Sequence, residues 1–179
     1  MFYVICYPKL VRHDSEWIES FRRIHEPGRA GLVHAHVTLV FGVCAIEISA
    51  LTSLATEIAS REVAFDLEFD AIEVHEDYER ADHKLFLVAH EGGEQLARMH
   101  KQFYSGVLRS ELRADISFEA HMTLATASSV DLIYEARQEA QTLRLPVLGA
   151  IDAIDVVALV DGKLNEVSHI RLGSGMAPS

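Results

Sequence analysis

Two short segments of the chain combine residue types that could carry out acid–base chemistry. They are His36-Val37-Thr38-Leu39 and His121-Met122-Thr123-Leu124, and their equivalent residues lie 85 positions apart. Imidazole titrates near neutral pH, so a histidine can accept or donate a proton, and a nearby threonine hydroxyl can hydrogen bond an anion. The duplication indicates a site in which two histidines exchange protons with one substrate.

Strand geometry explains the spacing within each motif. Residues i and i+2 of a strand project from one face, so His36 and Thr38 should point together, as should His121 and Thr123. The alternate residues of the first motif strand, ending with Phe41, are apolar and should face covering helices. Each strand is therefore predicted to bury one face and to present an imidazole and a hydroxyl on the other.

The elements around the motifs repeat in order along the chain. Residues 2–74 predict a βαβαβ half, residues 84–160 predict a second one, and the turn at Asp161-Gly162 should return a final strand over 163–172. The strands of the two halves are predicted at Phe2–Tyr7, Val33–Phe41, Val63–Val74, Lys84–His90, Ser117–Ala125 and Ile154–Val160. The helix predictions include a cap at Asp14, a capping box at Ser128-Ser129-Val130-Asp131, and apolar faces that contain Ile24, Val107, Leu112 and Leu132.

The repeated order predicts one α+β domain over residues 1–172. Its two pseudo-symmetric βαβαβ-type lobes, roughly 1–75 and 84–160 plus the final strand, should carry mainly antiparallel sheets around a central groove. Two imidazoles would then flank one centre from opposite sides. Residues 173–179 are predicted to be a flexible tail.

The paired motifs, each on a strand inside a repeated half, resemble the two-histidine phosphoesterases, also called the 2′-5′ RNA ligase-like superfamily. The resemblance implies a bilobal fold with an open groove and a cofactor-free, metal-independent hydrolysis of nucleoside 2′,3′-cyclic phosphates or related cyclic or 2′-5′ phosphodiesters. It also implies roles for the four motif residues. His36 would donate a proton to the leaving oxygen, His121 would activate water, and Thr38 and Thr123 would bind the phosphate.

Composition restricts the partners. Sixteen Lys and Arg against 27 Asp and Glu give a net charge of -11, which argues against binding long nucleic acid and favours a small phosphorylated nucleotide or a short RNA end. Apolar runs fall short of the roughly 20 residues that cross a bilayer, so no membrane partner is expected. Cys6 and Cys44 lie in apolar segments and are predicted to be buried free thiols of a cytoplasmic protein.

Two alternative functions use the same residues. His34-Ala35-His36 has the spacing of a two-histidine metal site, and a third ligand from His75, His83 or His90 would make a zinc-dependent hydrolase. A non-catalytic protein that binds nucleotides or RNA ends could also be built on this scaffold.

Further residues could contact substrate. Tyr7, at the end of the first strand, and Tyr78 could stack on a base, and His34 could lie at the edge of the groove. His169, on the final strand, is predicted to have a structural role.

Overall fold

The computed structural model describes residues 1–77, 82–113 and 116–173. These ranges contain strands β1 (Phe2–Cys6), β2 (Val37–Val43), β3 (Phe65–Asp77), β4 (Asp82–Glu91), β5 (His121–Ala127), β6 (Val147–Ile151), β7 (Ala153–Val160) and β8 (Lys163–Arg171). They also contain helices α1 (Arg12–His25), α2 (Pro27–Ala30), α3 (Ile48–Ser60), α4 (Gly93–Phe103) and α5 (Val130–Ala140). A 3-10 turn covers Arg109–Glu111. Among the described residues, no helix is both long and apolar enough to cross a membrane.

The strands form two four-stranded antiparallel sheets. The first sheet has the order β2-β1-β7-β8 and the second has the order β5-β4-β3-β6. Helices α3 and α4 contact the first sheet, and α1 and α5 contact the second. The predicted α+β fold with two lobes and antiparallel sheets is therefore confirmed.

Sheet membership differs from the predicted lobe limits of 1–75 and 84–160. Strand β3, from the first half, pairs with β4 and β6, whereas β7, from the second half, pairs with β1 and β8. The two halves thus exchange their third strands. The cause is the short connection between β3 and β4, because strands that follow closely in the chain pair most readily as a hairpin.

The hydrophobic core lies between each sheet and its helices. In β2, Val37 and Leu39 are buried while Thr38 is partly exposed, as the alternation predicts. Phe41 breaks the pattern and is 49% exposed. The pairing of β1 with β2 shifts register just before it, since Ile5 lies opposite Thr38 but Val4 lies opposite Val40, and such a bulge turns the following side chains to the other face.

The predictions for three helices need correction. Helix α1 begins at Arg12 without a side-chain cap, so Asp14 is not its cap, and Ile24 is exposed. Helix α4 ends at Phe103, which leaves Val107 and Leu112 beyond the helix and exposed. Leu132 of α5 is also exposed, and the cap of this helix is the second serine of the predicted box, because the hydroxyl of Ser129 accepts a hydrogen bond from the backbone N–H of Leu132.

Three other expectations change. Strand β6 was not predicted, because Pro146 precedes it and Gly149 interrupts its short apolar run. Cys6 is buried, but Cys44 is exposed because it follows the end of β2. Of the predicted tail, residue 173 is described and residues 174–179 lie outside the described residues.

Candidate active site

The two motif strands meet where the sheets meet. Strands β2 and β5 are each the middle strand of their half in chain order, yet each lies at the edge of its own sheet, and the two edges contact each other. A hydrogen bond of 3.2 Å from the hydroxyl of Thr126 on β5 to Glu26, directly after α1, joins the halves beside this contact. The fold therefore brings His36 and His121 to one junction.

Both motif histidines are oriented in the same way. Nδ1 of His36 lies 2.7 Å from the carbonyl oxygen of His34, and Nδ1 of His121 lies 2.8 Å from the carbonyl oxygen of Glu119. A carbonyl oxygen only accepts hydrogen bonds, so Nδ1 must carry the hydrogen in each ring. Nε2 of each ring is then the nitrogen that can accept or donate the proton of a reaction.

Burial sets the protonation state of the pair. Loss of solvation lowers the pKa of His36 below its usual value, and the nearby charges of Arg22 and Arg29 lower it further. Loss of solvation also lowers the pKa of His121 to about 4, with additional contributions from the charges of His75, His36 and Lys84. A charge on His36 contributes to the lowered pKa of His121, as expected for two rings beside contacting strands.

The threonines accompany the histidines on the face opposite the helices. Thr38 and Thr123 are both partly exposed, next to the buried residues of their strands. Thr38 lies opposite Ile5 of the neighbouring strand β1, and Thr123 lies opposite Phe86 of the neighbouring strand β4. Each threonine follows the histidine of its own motif by two residues. Its hydroxyl could therefore bind an oxygen of an anion held between the histidines.

An aromatic neighbour supports His121, and sequence reasoning missed it. The ring of Phe86 stacks on His121 with centroids 3.7 Å apart and an interplanar angle of 18°. His75 packs on the same phenyl ring at 4.6 Å. The alternation of Leu85, Phe86 and Leu87, in which both leucines are fully buried, is the signal that could have placed Phe86 on the groove face.

The proposed substrate contacts lie beside the first motif. The rings of Tyr7 and His36 are 6.3 Å apart and meet edge to face. Tyr7 and His34 line one cavity of about 220 Å³, together with Glu19 and Ala35. His34 is largely exposed and its ring lies 3.4 Å from Glu19. Tyr78 lies outside the described residues.

A buried arginine supplies positive charge near His36. Arg22 of α1 is 2% exposed and contacts the carboxylates of Glu19 and Glu26, and it donates a hydrogen bond of 3.0 Å to the carbonyl of Val33. Glu19 also accepts a hydrogen bond of 2.7 Å from the backbone N–H of Ala35. This network fixes the segment that leads into His36. Sequence reasoning missed it because most arginines are exposed.

The alternative zinc site is not assembled as predicted. The ring of His34 turns to Glu19, and no cluster of possible metal ligands among the described residues includes His34 or His36. Within the described part of the chain, the side chains that could jointly hold a metal ion are those of Glu73, His75 and Glu119. His90 pairs with Asp70 instead. The residues near the first motif therefore do not converge on a metal.

Comparison with known proteins identifies the family. A model of the 2′-5′ RNA ligase superfamily matches residues 10–163, which include both motifs. The chain belongs to the 2′-5′ RNA ligase superfamily. This confirms the resemblance to the two-histidine phosphoesterases. A search of curated proteins finds no match.

Solved structures share the superfamily fold. Escherichia coli LigT in complex with 3′-AMP aligns over 96% of this chain and 97% of its own, with a TM-score of 0.59 and 20% identity. LigT in complex with NADP+ aligns over 96% of both chains, with a TM-score of 0.58 and 18% identity. Kluyveromyces marxianus Usb1 aligns over 96% of both chains, with a TM-score of 0.54 and 12% identity. At these identities the likeness concerns the two-lobed fold.

Proposed function

We propose that this superfamily member is a metal-independent cyclic phosphodiesterase. Its substrates are nucleoside 2′,3′-cyclic phosphates or related cyclic and 2′-5′ phosphodiesters. Membership of the superfamily supports phosphodiesterase chemistry in general. The finer proposal is supported by two motif rings that are each held through Nδ1 by a backbone carbonyl, beside strands that contact each other, so that Nε2 of each ring could move a proton.

The two histidines divide the proton transfers. His121 has a pKa of about 4, so it is neutral at pH 7 and its Nε2 can take a proton from water. The water oxygen bonds to phosphorus as the bond from phosphorus to one ribose oxygen breaks. His36 donates the proton that this leaving oxygen needs, and the product is a phosphomonoester. A bound phosphate anion raises the pKa of both rings, which supplies the protonated His36.

The surroundings stabilise the phosphoryl group. Hydroxyls of Thr38 and Thr123 would donate hydrogen bonds to its oxygens as negative charge develops there. Arg22 acts on His36 from within α1, although the carboxylate of Glu19 opposes its effect on the pKa of that ring. Because Arg22 is buried between two glutamates, it acts by holding the segment before His36, without contacting substrate.

Substrate size is inferred from charge and from the comparisons. LigT has been crystallised with 3′-AMP, ATP and NADP+, and the same fold here suits a small nucleotide. The net charge of -11 opposes extended contact with long RNA. A nucleotide or a short RNA end is the substrate class that we propose.

A panel of cyclic nucleotides and 2′-5′-linked dinucleotides tests the proposal, with products identified by phosphorus NMR. His36→Ala and His121→Ala should each lower kcat by at least about 100-fold, the usual scale for a lost acid or base, while His13→Ala in α1 serves as the control. EDTA should leave the rate unchanged. Turnover that EDTA abolishes and zinc restores would refute the metal-independent reaction, and nucleotide binding without turnover would favour the non-catalytic alternative.

The pH profile provides a second check. The base must be unprotonated and the acid protonated, and the pKa values of both rings lie below 6.5. We therefore expect kcat/KM to peak between pH 4 and 6.5, and the kcat profile to shift to higher pH because bound phosphate raises both pKa values. A kcat/KM optimum at or above pH 7.5 would contradict this reasoning.

A further inference from the structure

A row of side chains crosses the first sheet from the motif to the opposite edge. Ile5 pairs with Thr38 on one side and with Asp155 on the other, and Asp155 pairs with His169. Directly paired residues of antiparallel strands project from the same face. Thr38, Asp155 and His169 therefore share the groove face of the first sheet, on β2, β7 and β8 respectively.

Burial confirms which face this is. Ile154 and Val156, on either side of Asp155, belong to the hydrophobic core, and α3 contacts β7 from that side. The side chain of Asp155 must point away from α3, since neighbouring residues of a strand alternate. It points to the face that carries Thr38.

Asp155 and His169 form an oriented pair. The carboxylate of Asp155 is only 4% exposed and lies 2.7 Å from Nδ1 of His169, whose side chain is 52% exposed. Burial raises the pKa of Asp155 and the hydrogen bond from His169 opposes that rise. Burying a carboxylate in a sheet is costly unless it is hydrogen bonded. The bond directs Nε2 of His169 outward, as backbone carbonyls do for the two motif histidines.

The spacing suits a group attached to the reactive phosphate. Neighbouring strands lie about 4.8 Å apart, so β8 is about 14 Å from β2, too far for His169 to reach the phosphate itself. Tyr7 lies between them, because it directly follows β1, which separates β2 from β7, and its ring meets His36. A nucleoside extending from the phosphate over β1 would meet Tyr7 and then the ring of His169.

Charge limits which groups can bind there. Glu166 and Asp152 both act on Asp155 and raise its pKa, so two further carboxylates lie near the pair, and one of them, Asp152, also contacts Lys9. A second phosphate would be repelled. With Nδ1 donating to Asp155, Nε2 can accept a hydrogen bond from the hydroxyl and amino donors of a ribose or base.

We propose that Asp155 and His169 form a nucleoside subsite of this enzyme. Nε2 of His169 accepts a hydrogen bond from an uncharged donor of the sugar or base, and Asp155 is a positioning residue that fixes the ring. The proposal rests on the proposed function, because it takes the reactive phosphate to lie between His36 and His121. The first sheet would thus recognise the nucleoside part of the substrate.

Two substrates separate recognition from chemistry. His169→Ala should raise KM for a nucleoside 2′,3′-cyclic phosphate about fivefold to tenfold, the effect of one lost hydrogen bond, and leave kcat within twofold. KM for glycerol 1,2-cyclic phosphate, which has no nucleoside, should not change. His90→Ala is the matched control, since it removes the histidine of another exposed His–Asp pair, with Asp70 on the second sheet. Equal effects on both substrates, or no effect on either, would overturn the subsite.

A binding measurement keeps the subsite testable if no substrate turns over. Adenosine should bind the wild-type chain in NMR titrations and shift the Nε2 resonance of His169, and His169→Ala should weaken that binding. This result with no turnover would preserve the subsite and refute the phosphodiesterase. If His169→Ala lowers the melting temperature without changing adenosine binding, the pair only fastens β8 to β7 and the proposal fails.

Discussion

The low pKa of His121 predicts an acid-sensitive fold. In the unfolded chain a histidine titrates near 6.5, whereas the pKa of His121 is about 4 in the folded chain. Between these values the unfolded state binds a proton that the folded state does not. Stability is therefore unaffected by His121 above pH 6.5, falls as the pH drops below 6.5, and levels off below pH 4.

The magnitude follows from the two pKa values. Going from pH 7.5 to pH 5, protonation of the unfolded chain at this position would lower the free energy of unfolding by about 2 kcal/mol. The ring of His121 is partly exposed to solvent, which screens some of that cost, so we expect about 1–2 kcal/mol. The pKa of His36 is also lowered, so its contribution has the same sign.

Urea denaturation at pH 7.5 and pH 5 measures the effect. His121→Gln removes the titrating group, so the difference between its unfolding free energies at the two pH values should be about 1–2 kcal/mol smaller than for the wild-type chain. The absolute cost of the substitution cancels in this comparison. His13→Gln, at an exposed position of α1, gives the background for replacing a histidine. If His121→Gln and the wild-type chain lose the same stability between pH 7.5 and 5, burial does not depress the pKa of His121.

Two further predictions concern side chains outside the motifs. Phe86→Leu removes the ring stacked on His121, an interaction of about 1 kcal/mol. We therefore expect kcat to fall about fivefold while the thermal transition stays cooperative. An unchanged kcat would show that the stack does not position the imidazole. A thiol reagent should label one cysteine per native chain, because Cys44 is exposed whereas burial raises the pKa of Cys6. Cys44→Ser should abolish the labelling, and a reactive Cys6 would contradict the buried position.

The motif histidines could be predicted from sequence because their signal is local. Two residues on one face of a strand need only the alternation of that strand, and the duplication of His36 and Thr38 at His121 and Thr123 identifies the pair. The structure preserves this alternation on β5, whereas β2 begins at Val37 instead of the predicted Val33, so that His36 directly precedes its strand, and the bulge near Phe41 breaks the alternation beyond it.

The surroundings of the site depend on distant contacts, which sequence patterns do not show. The buried charge of Arg22 requires two glutamates of α1 and its following turn to close around it, whereas an isolated arginine in a helix is usually exposed. Asp155 was not singled out, and His169 was assigned a structural role, because their juxtaposition depends on the pairing of β7 with β8. The register of two strands becomes visible only once they are paired.

The packing of the helices explains how the two motif strands are held together. Each motif strand lies at the edge of its own sheet. Helix α4, from the second half, packs against β2, and Nδ1 of His100 lies 2.8 Å from the carbonyl oxygen of Leu39, next to Thr38. Helix α1, from the first half, packs against β5, where Glu26 accepts the hydrogen bond of Thr126. Each half therefore packs a helix against the motif strand of the other half, and these contacts hold the two edge strands at one junction.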